Sequence, residues 1–204
     1  MKAILLLLGL TFFSSTHLFS QTETEAPTLY LDVTVNGKTH QVKDGGTLSI
    51  DGNEITVKTS DILTFDYGLL QFNYPTFYAF EFEEDLASKM WTLDGNYFVV
   101  VYFEMIIDFE LEELVSEIAE GFGRENCTIS DFTFTIDDKE HEGKRIRVNL
   151  LGEQLTYDMV KLNSQDEKSH FISFQDTKNF NGTDSEESIE TMKMIQNTIR
   201  YSTP

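Results

Sequence analysis

The sequence predicts an α+β fold: a central antiparallel sheet with two main helices, plus β-hairpins on its N-terminal side. Three observations carry this. Phe132, Phe134 and Ile136, then Ile146, Val148 and Leu150, then Leu155, Tyr157 and Met159 alternate with polar residues. A period of two places each trio on one face of a sheet. Between Phe109 and Phe122 the period becomes helical, with Leu111, Leu114, Val115, Ile118 and Phe122 on one stripe. A second helical stripe near the end of the chain, Ile189, Met192, Ile195 and Ile199, is wide enough to cover a sheet face.

Residues 1–20 read as a secretory signal. Lys2 precedes the apolar run Ala3–Phe13, and Ser14, Ser15 and Thr16 follow it, the order of charged, apolar and polar regions that such signals share. Cleavage is expected near Ser20–Gln21. The segment is too short for a stop-transfer helix, so no membrane span is expected after cleavage. The style of the signal suggests a secreted or periplasmic bacterial protein. Residues 21–60 are expected to form a hairpin extension, and residues 61–204 the main domain.

Within the extension, Asn36-Gly37 joins Leu29–Val35 to Lys38–Val42, and Asp51-Gly52 joins Thr47–Ile50 to Asn53–Val57. Both dipeptides supply the positive φ angles of a tight type I′ turn. Ile62–Phe65, Leu69–Phe72 and Phe77–Phe82 follow as strands. Gly68 and Pro75 punctuate them, since proline cannot donate to a ladder. Tyr97–Ile107 is apolar except for Glu104, which suits a central strand covered on both faces. The helix over Phe109–Phe122 is expected to end on Gly121 and Gly123 as C-cap glycines.

The closing meander turns at Asp137-Asp138-Lys139. Gly143 is expected to open its second strand, and Gly152-Glu153 to turn that strand into the third. Ser169–Gln175 forms a fourth strand, with Phe171, Ile172 and Phe174 apolar on both faces. The last helix is expected to start at Asp184, which with Glu187 makes an acidic version of the capping box.

Acids outnumber bases 35 to 15, for a formal net charge of −20. That balance repels phosphate backbones and anionic lipid heads. It argues against nucleic acid and favours a protein partner with a basic patch, though it also simply confers solubility. The single cysteine, Cys127, rules out an internal disulfide and is expected as a buried, inert thiol. His17, His40, His141 and His170 follow no metal-ligand spacing, and no H-E-x-x-H, G-x-S-x-G, phosphate-loop or dinucleotide motif occurs. No catalytic residue and no cofactor are assigned.

Two surfaces are candidates for partner contact: Glu83, Glu84, Asp85 and Trp91, and the acidic helix face with Glu110, Glu113 and Glu117. Each also has an ordinary reading, as a solvated loop and as the water side of an amphipathic helix. The one ionic candidate is the loop carrying Asp176, Asn179, Asn181 and Asp184 around Gly182. Its hard oxygen ligands would suit calcium, while the same residue types also favour turns.

The segments Phe65-Asp66-Tyr67-Gly68, Phe72-Asn73-Tyr74-Pro75, the Trp91 region, Gly143-Lys144-Arg145-Ile146-Arg147-Val148 and Phe171-Ile172-Ser173-Phe174-Gln175, followed by the helix over Glu187–Tyr201, resemble the PsbP-like and Mog-type superfamily. The resemblance covers roughly residues 65–201 and rests on core and turn positions. It implies an α-β-α sandwich, an antiparallel sheet flanked by helices. It also implies a role in binding other proteins, as most members have. The expected function is a non-catalytic secreted or periplasmic protein acting by protein–protein contact, as an adapter, assembly factor, or immunity or chaperone-like protein. Two alternatives stand beside it: a calcium- or small-molecule-binding envelope module, and a hydrolase whose groups converge only in space.

Overall fold

The computed structural model describes residues 29–202. The expected signal segment and its cleavage site lie outside them. The chain divides between Asp61 and Ile62 into two compact units.

In the first unit, β1 (Tyr30–Val35) pairs with β2 (Lys38–Lys43), and β3 (Gly46–Ile50) pairs with β4 (Asn53–Val57). Asn36 and Gly37 have φ of 51° and 78°, and Asp51 and Gly52 have 52° and 81°. Two consecutive left-handed residues are what a type I′ turn requires. Asp44 joins the two hairpins. Its N–H donates to the Leu29 carbonyl at 3.0 Å, and its carboxylate accepts from the Thr59 N–H at 2.6 Å.

The second unit contains β5 (Ile62–Tyr67), β6 (Leu70–Pro75), β7 (Ala79–Glu84), β8 (Ser88–Asp94), β9 (Phe98–Met105), α1 (Leu111–Phe122), β10 (Cys127–Ile136), β11 (Lys139–Leu150), β12 (Glu153–Leu162), β13 (Ser169–Thr177), α2 (Glu186–Thr198) and β14 (Arg200–Tyr201). Seven of these strands form one antiparallel sheet in the order β10-β11-β12-β13-β9-β8-β7. A smaller sheet has the order β14-β6-β5. The turn between β10 and β11 uses Asp137 and Asp138 at φ of 49° and 60°, and the next uses Leu151 and Gly152 at 53° and 90°.

The α+β expectation, and the α-β-α sandwich implied by the resemblance, are corrected by this architecture. The described residues are mostly β, with 56% strand against 16% helix. The physical reason lies in how the large sheet is covered. On one face α1 packs Leu111, Leu114 and Val115 against Ile146, Val148, Met159 and Phe171. The other core is not closed by a helical layer. Phe65, Leu70, Phe72 and Tyr74 from the small sheet share it with Ile195 and Ile199 at the α2 end of the chain. A sheet on a sheet buries apolar side chains through alternation along each strand; β6 does so with Leu70, Phe72 and Tyr74, and β5 adds Phe65 alone.

Several local expectations also shift. The α2 N-cap is Ser185, whose side chain accepts from the Ser188 N–H at 3.0 Å, so Asp184 lies outside the helix. Ser188, Thr191 and Ile195 are the buried positions of α2, and Ile189 faces solvent at 56% exposure. Gly121 lies inside α1, and Gly123 alone caps it, at φ 81°. Gly143 lies within β11 rather than opening it. A Cβ there would collide with the Met159 carbonyl oxygen and press within 3.2 Å of the Phe132 ring, so the position demands a bare backbone.

Candidate functional site

β7, the last strand of the large sheet, has the sequence Ala-Phe-Glu-Phe-Glu-Glu, and all six residues are exposed. Its alternation separates Phe80 and Phe82 on one face from Glu81 and Glu83 on the other. The phase of its pairing is set by the Asp85 N–H, which donates to the Ser88 carbonyl at 2.9 Å. Antiparallel pairs alternate between bonded and non-bonded. Counting back from Asp85 along the β7–β8 register, Phe80, Phe82 and Glu84 turn their N–H and C=O groups away from β8.

The apolar face of β7 is the outer end of an aromatic chain. Phe82 lies 5.1 Å from Trp91 between ring centroids, Phe80 lies 5.3 Å from Tyr67, and Trp91 lies 5.3 Å from Tyr102. Tyr67, Phe80 and Phe82 remain 44%, 41% and 47% exposed. Glu84, at the end of this same face, pairs with Lys89 at 3.2 Å; the other face carries Glu81 and Glu83, which make no ion pair among the described residues.

The other sequence candidates fall in different places. Trp91 is buried at 8% exposure, so it lies beneath the exposed aromatic face of β7 and is not part of the surface. Phe80 and Phe82 take its place at the surface. Glu83 and Glu84 lie in a strand and not in a loop, and Asp85 closes the turn by accepting from the Ala87 and Ser88 N–H groups at 2.7 Å. Those bonds hold the Asp85 carboxyl below its ordinary range. Glu110 is the N-cap residue of α1 and lies 3.3 Å from Lys161, while Glu113 and Glu117 project to solvent. The two acidic surfaces are therefore separate.

A lysine occupies the centre of the calcium candidate. Lys178 Nζ donates to Asp176 at 2.7 Å and also to Asp184. Asp176 accepts a further bond from Ser185 Oγ at 2.7 Å, Asn179 donates to the Asp184 carbonyl at 2.8 Å, and Asn181 accepts from the Thr183 hydroxyl at 2.7 Å. The oxygens that a cation would need are thus engaged within the chain. Among the described residues no group of three or more His, Cys, Asp or Glu is placed to hold a metal ion.

One buried polar chain was not legible in the sequence. The Tyr102 hydroxyl accepts from the Leu69 N–H at 3.0 Å and lies 2.8 Å from His170 Nδ1. His170 Nε2 lies 3.0 Å from both Asp166 oxygens. A proton on Nε2 satisfies the whole chain, with the tyrosine donating to Nδ1. Tyr, His and Asp in this order match a nucleophile, its base and an orienting acid. Tyr102, however, is 1% exposed, and burial pushes its phenol well above the ordinary range, away from a reactive phenolate. What this chain does in the described structure is fasten the β5–β6 turn to the middle of the sheet. Gly68, in that turn, must lack a side chain because a Cβ would collide with the Tyr102 hydroxyl.

The fold and site define a class: a mostly-β protein whose second unit packs two sheets together and ends, among the described residues, in an aromatic and acidic edge strand. No family model and no curated protein matches the sequence. No helix among the described residues is long and apolar enough to cross a membrane.

Proposed function

We propose that this is a non-catalytic secreted or periplasmic protein that acts by binding another protein, whose contact surface is basic. The observation that carries this reading is the contrast at β7. Exposed Phe80 and Phe82 lie beside Glu81 and Glu83, whereas the best-placed reactive chain, Tyr102–His170–Asp166, is spent on internal bonds. Aromatic residues that stay half exposed next to charge are common at protein interfaces. A net charge of −20 steers a basic partner toward the chain and repels acidic ones.

The test places a photo-crosslinking phenylalanine analogue at Phe82, and at Phe180 as a control on an exposed loop elsewhere in the unit. In envelope or culture fractions of the source cells, Phe82 is expected to yield one discrete adduct, reduced by added salt. Equal labelling from both positions, or none from Phe82, would sink the reading.

A further inference from the structure

We infer that β7 is a strand-addition site: an extended segment of the partner, alternating basic with apolar side chains, pairs with its free backbone edge and continues the large sheet. This rests on the contact-binding reading above and specifies the form of the partner.

Edge strands are ordinarily protected by charged side chains, proline, a bulge or a covering element. β7 has no proline, its six-residue register with β8 runs without interruption, and all six of its residues are exposed; its charges, Glu81, Glu83 and Glu84, repel an acidic strand and admit a basic one. The outward N–H and C=O groups of Phe80, Phe82 and Glu84 recur every second residue, as an incoming strand requires. Alternation then dictates the chemistry of that strand. Its side chains on one face would cover Phe80, Phe82 and Tyr67, which calls for apolar residues. Those on the opposite face would lie beside Glu81 and Glu83, which have no ion pair among the described residues, and this calls for lysine or arginine.

The same geometry disfavours a second copy of the chain. Antiparallel self-pairing centred on Phe82 would set Glu81 opposite Glu83 twice, and like charges directly opposite are destabilising. Two chains of net charge −20 would also repel one another.

The test titrates the whole protein at low salt with a labelled, end-blocked octapeptide alternating lysine and valine. Three comparison peptides have the same composition in blocks, glutamate in place of lysine, or N-methylation of every amide that faces β7. The alternating peptide is expected to bind at least about tenfold more tightly than each of the three. Its binding should slow amide exchange at Phe80, Phe82 and Glu84. The double variant Glu81→Lys, Glu83→Lys is expected to reverse the preference toward the glutamate peptide, and retention of its thermal transition would show that it folds.

Equal affinity for the N-methylated peptide, equal affinity for the block peptide, unchanged exchange at Phe80 and Phe82, or no binding of the alternating peptide would each overturn strand addition. None of these removes a side-chain contact captured by crosslinking at Phe82. Failure of that crosslink removes the contact-binding reading and leaves the peptide result as it stands.

Discussion

β13 and β7 belong to one sheet and treat polarity in opposite ways. β13 contributes Ser169, His170, Ser173, Gln175 and Asp176, all buried, while β7 leaves Phe80 and Phe82 in contact with water. Place in the sheet, not side-chain hydrophobicity, decides which residues are covered. β13 lies between β12 and β9, with α1 on one side and the small sheet on the other, and eight of its nine residues are buried. Its polar groups tolerate this because they are bonded: Asp176 to Ser185 and Lys178, His170 to Tyr102 and Asp166, and Ser169 Oγ accepting from the Phe109 N–H. Buried polar groups without partners would cost more than the strand could recover.

The largest expected difference between the two strands lies in truncation. Ile172→Ala, at a position of 0% exposure in β13, is expected to cost about 2–5 kcal/mol in chemical denaturation. Phe82→Ala on β7 should cost less than about 1 kcal/mol. Comparable losses would break the comparison.

Next in size is the ion pair at the end of β13. Lys178→Met leaves the buried Asp176 carboxylate with Ser185 as its remaining partner, and is expected to cost about 3 kcal/mol. Adding Asp176→Asn should recover part of that loss, which a double-mutant cycle would read directly. A strictly additive result would show that the lysine acts on something else.

Tyr102→Phe removes one hydroxyl from the polar chain that joins β9 to β13. Leaving the Leu69 N–H and His170 without their partner should cost about 1–3 kcal/mol. An effect near zero would mean that water readily replaces the hydroxyl.

The smallest effect is a pH dependence away from both strands. His141, on β11, is buried, and burial followed by the nearby Lys139 charge holds its imidazole below the ordinary 6.5. With its folded value depressed, the unfolded chain takes up the proton first. Its contribution to stability is therefore present above about pH 6.5 and is lost as pH falls below it. His141→Gln is expected to flatten that part of the profile of melting temperature against pH. An unchanged profile would assign the acid sensitivity to carboxylates.

Much of the sheet was legible because its signals are local. Asp137-Asp138 marks a tight turn, and the trios around Phe134, Ile146 and Tyr157 mark strands that pair in sequence order. The apolar run of β9, broken only by Glu104, gave away its interior position between β13 and β8. What stayed hidden depends on pairing between distant segments. Nothing near Phe65 or Phe72 says that β5 and β6 form a separate sheet joined by β14 from the far end of the chain. Trp91 is covered because Tyr67 and Phe82 lie against it, and no spacing reveals that.

The same limit governs the candidate site. A strand was legible over Phe77–Phe82, but the structure carries it on through Glu83 and Glu84, and an edge position is a property of the assembled sheet. The lysine at the calcium candidate was within reach. Lys178 follows Asp176 by two residues at the end of a strand, and residues so spaced point to the same side.

The strand order has a bearing on how the chain folds. β7-β8-β9 and β10-β11-β12-β13 are each runs of sequence neighbours, and the sheet joins them through a single non-sequential pairing, β9 with β13. Each run can assemble as a ribbon on its own at little loop-closure cost, while the joint between them must wait for α1 and three strands to be in place. Stitching the ribbons together along that joint is then the slow, committing event. Opening it would release both cores of the second unit at once, so that unit is expected to unravel there cooperatively.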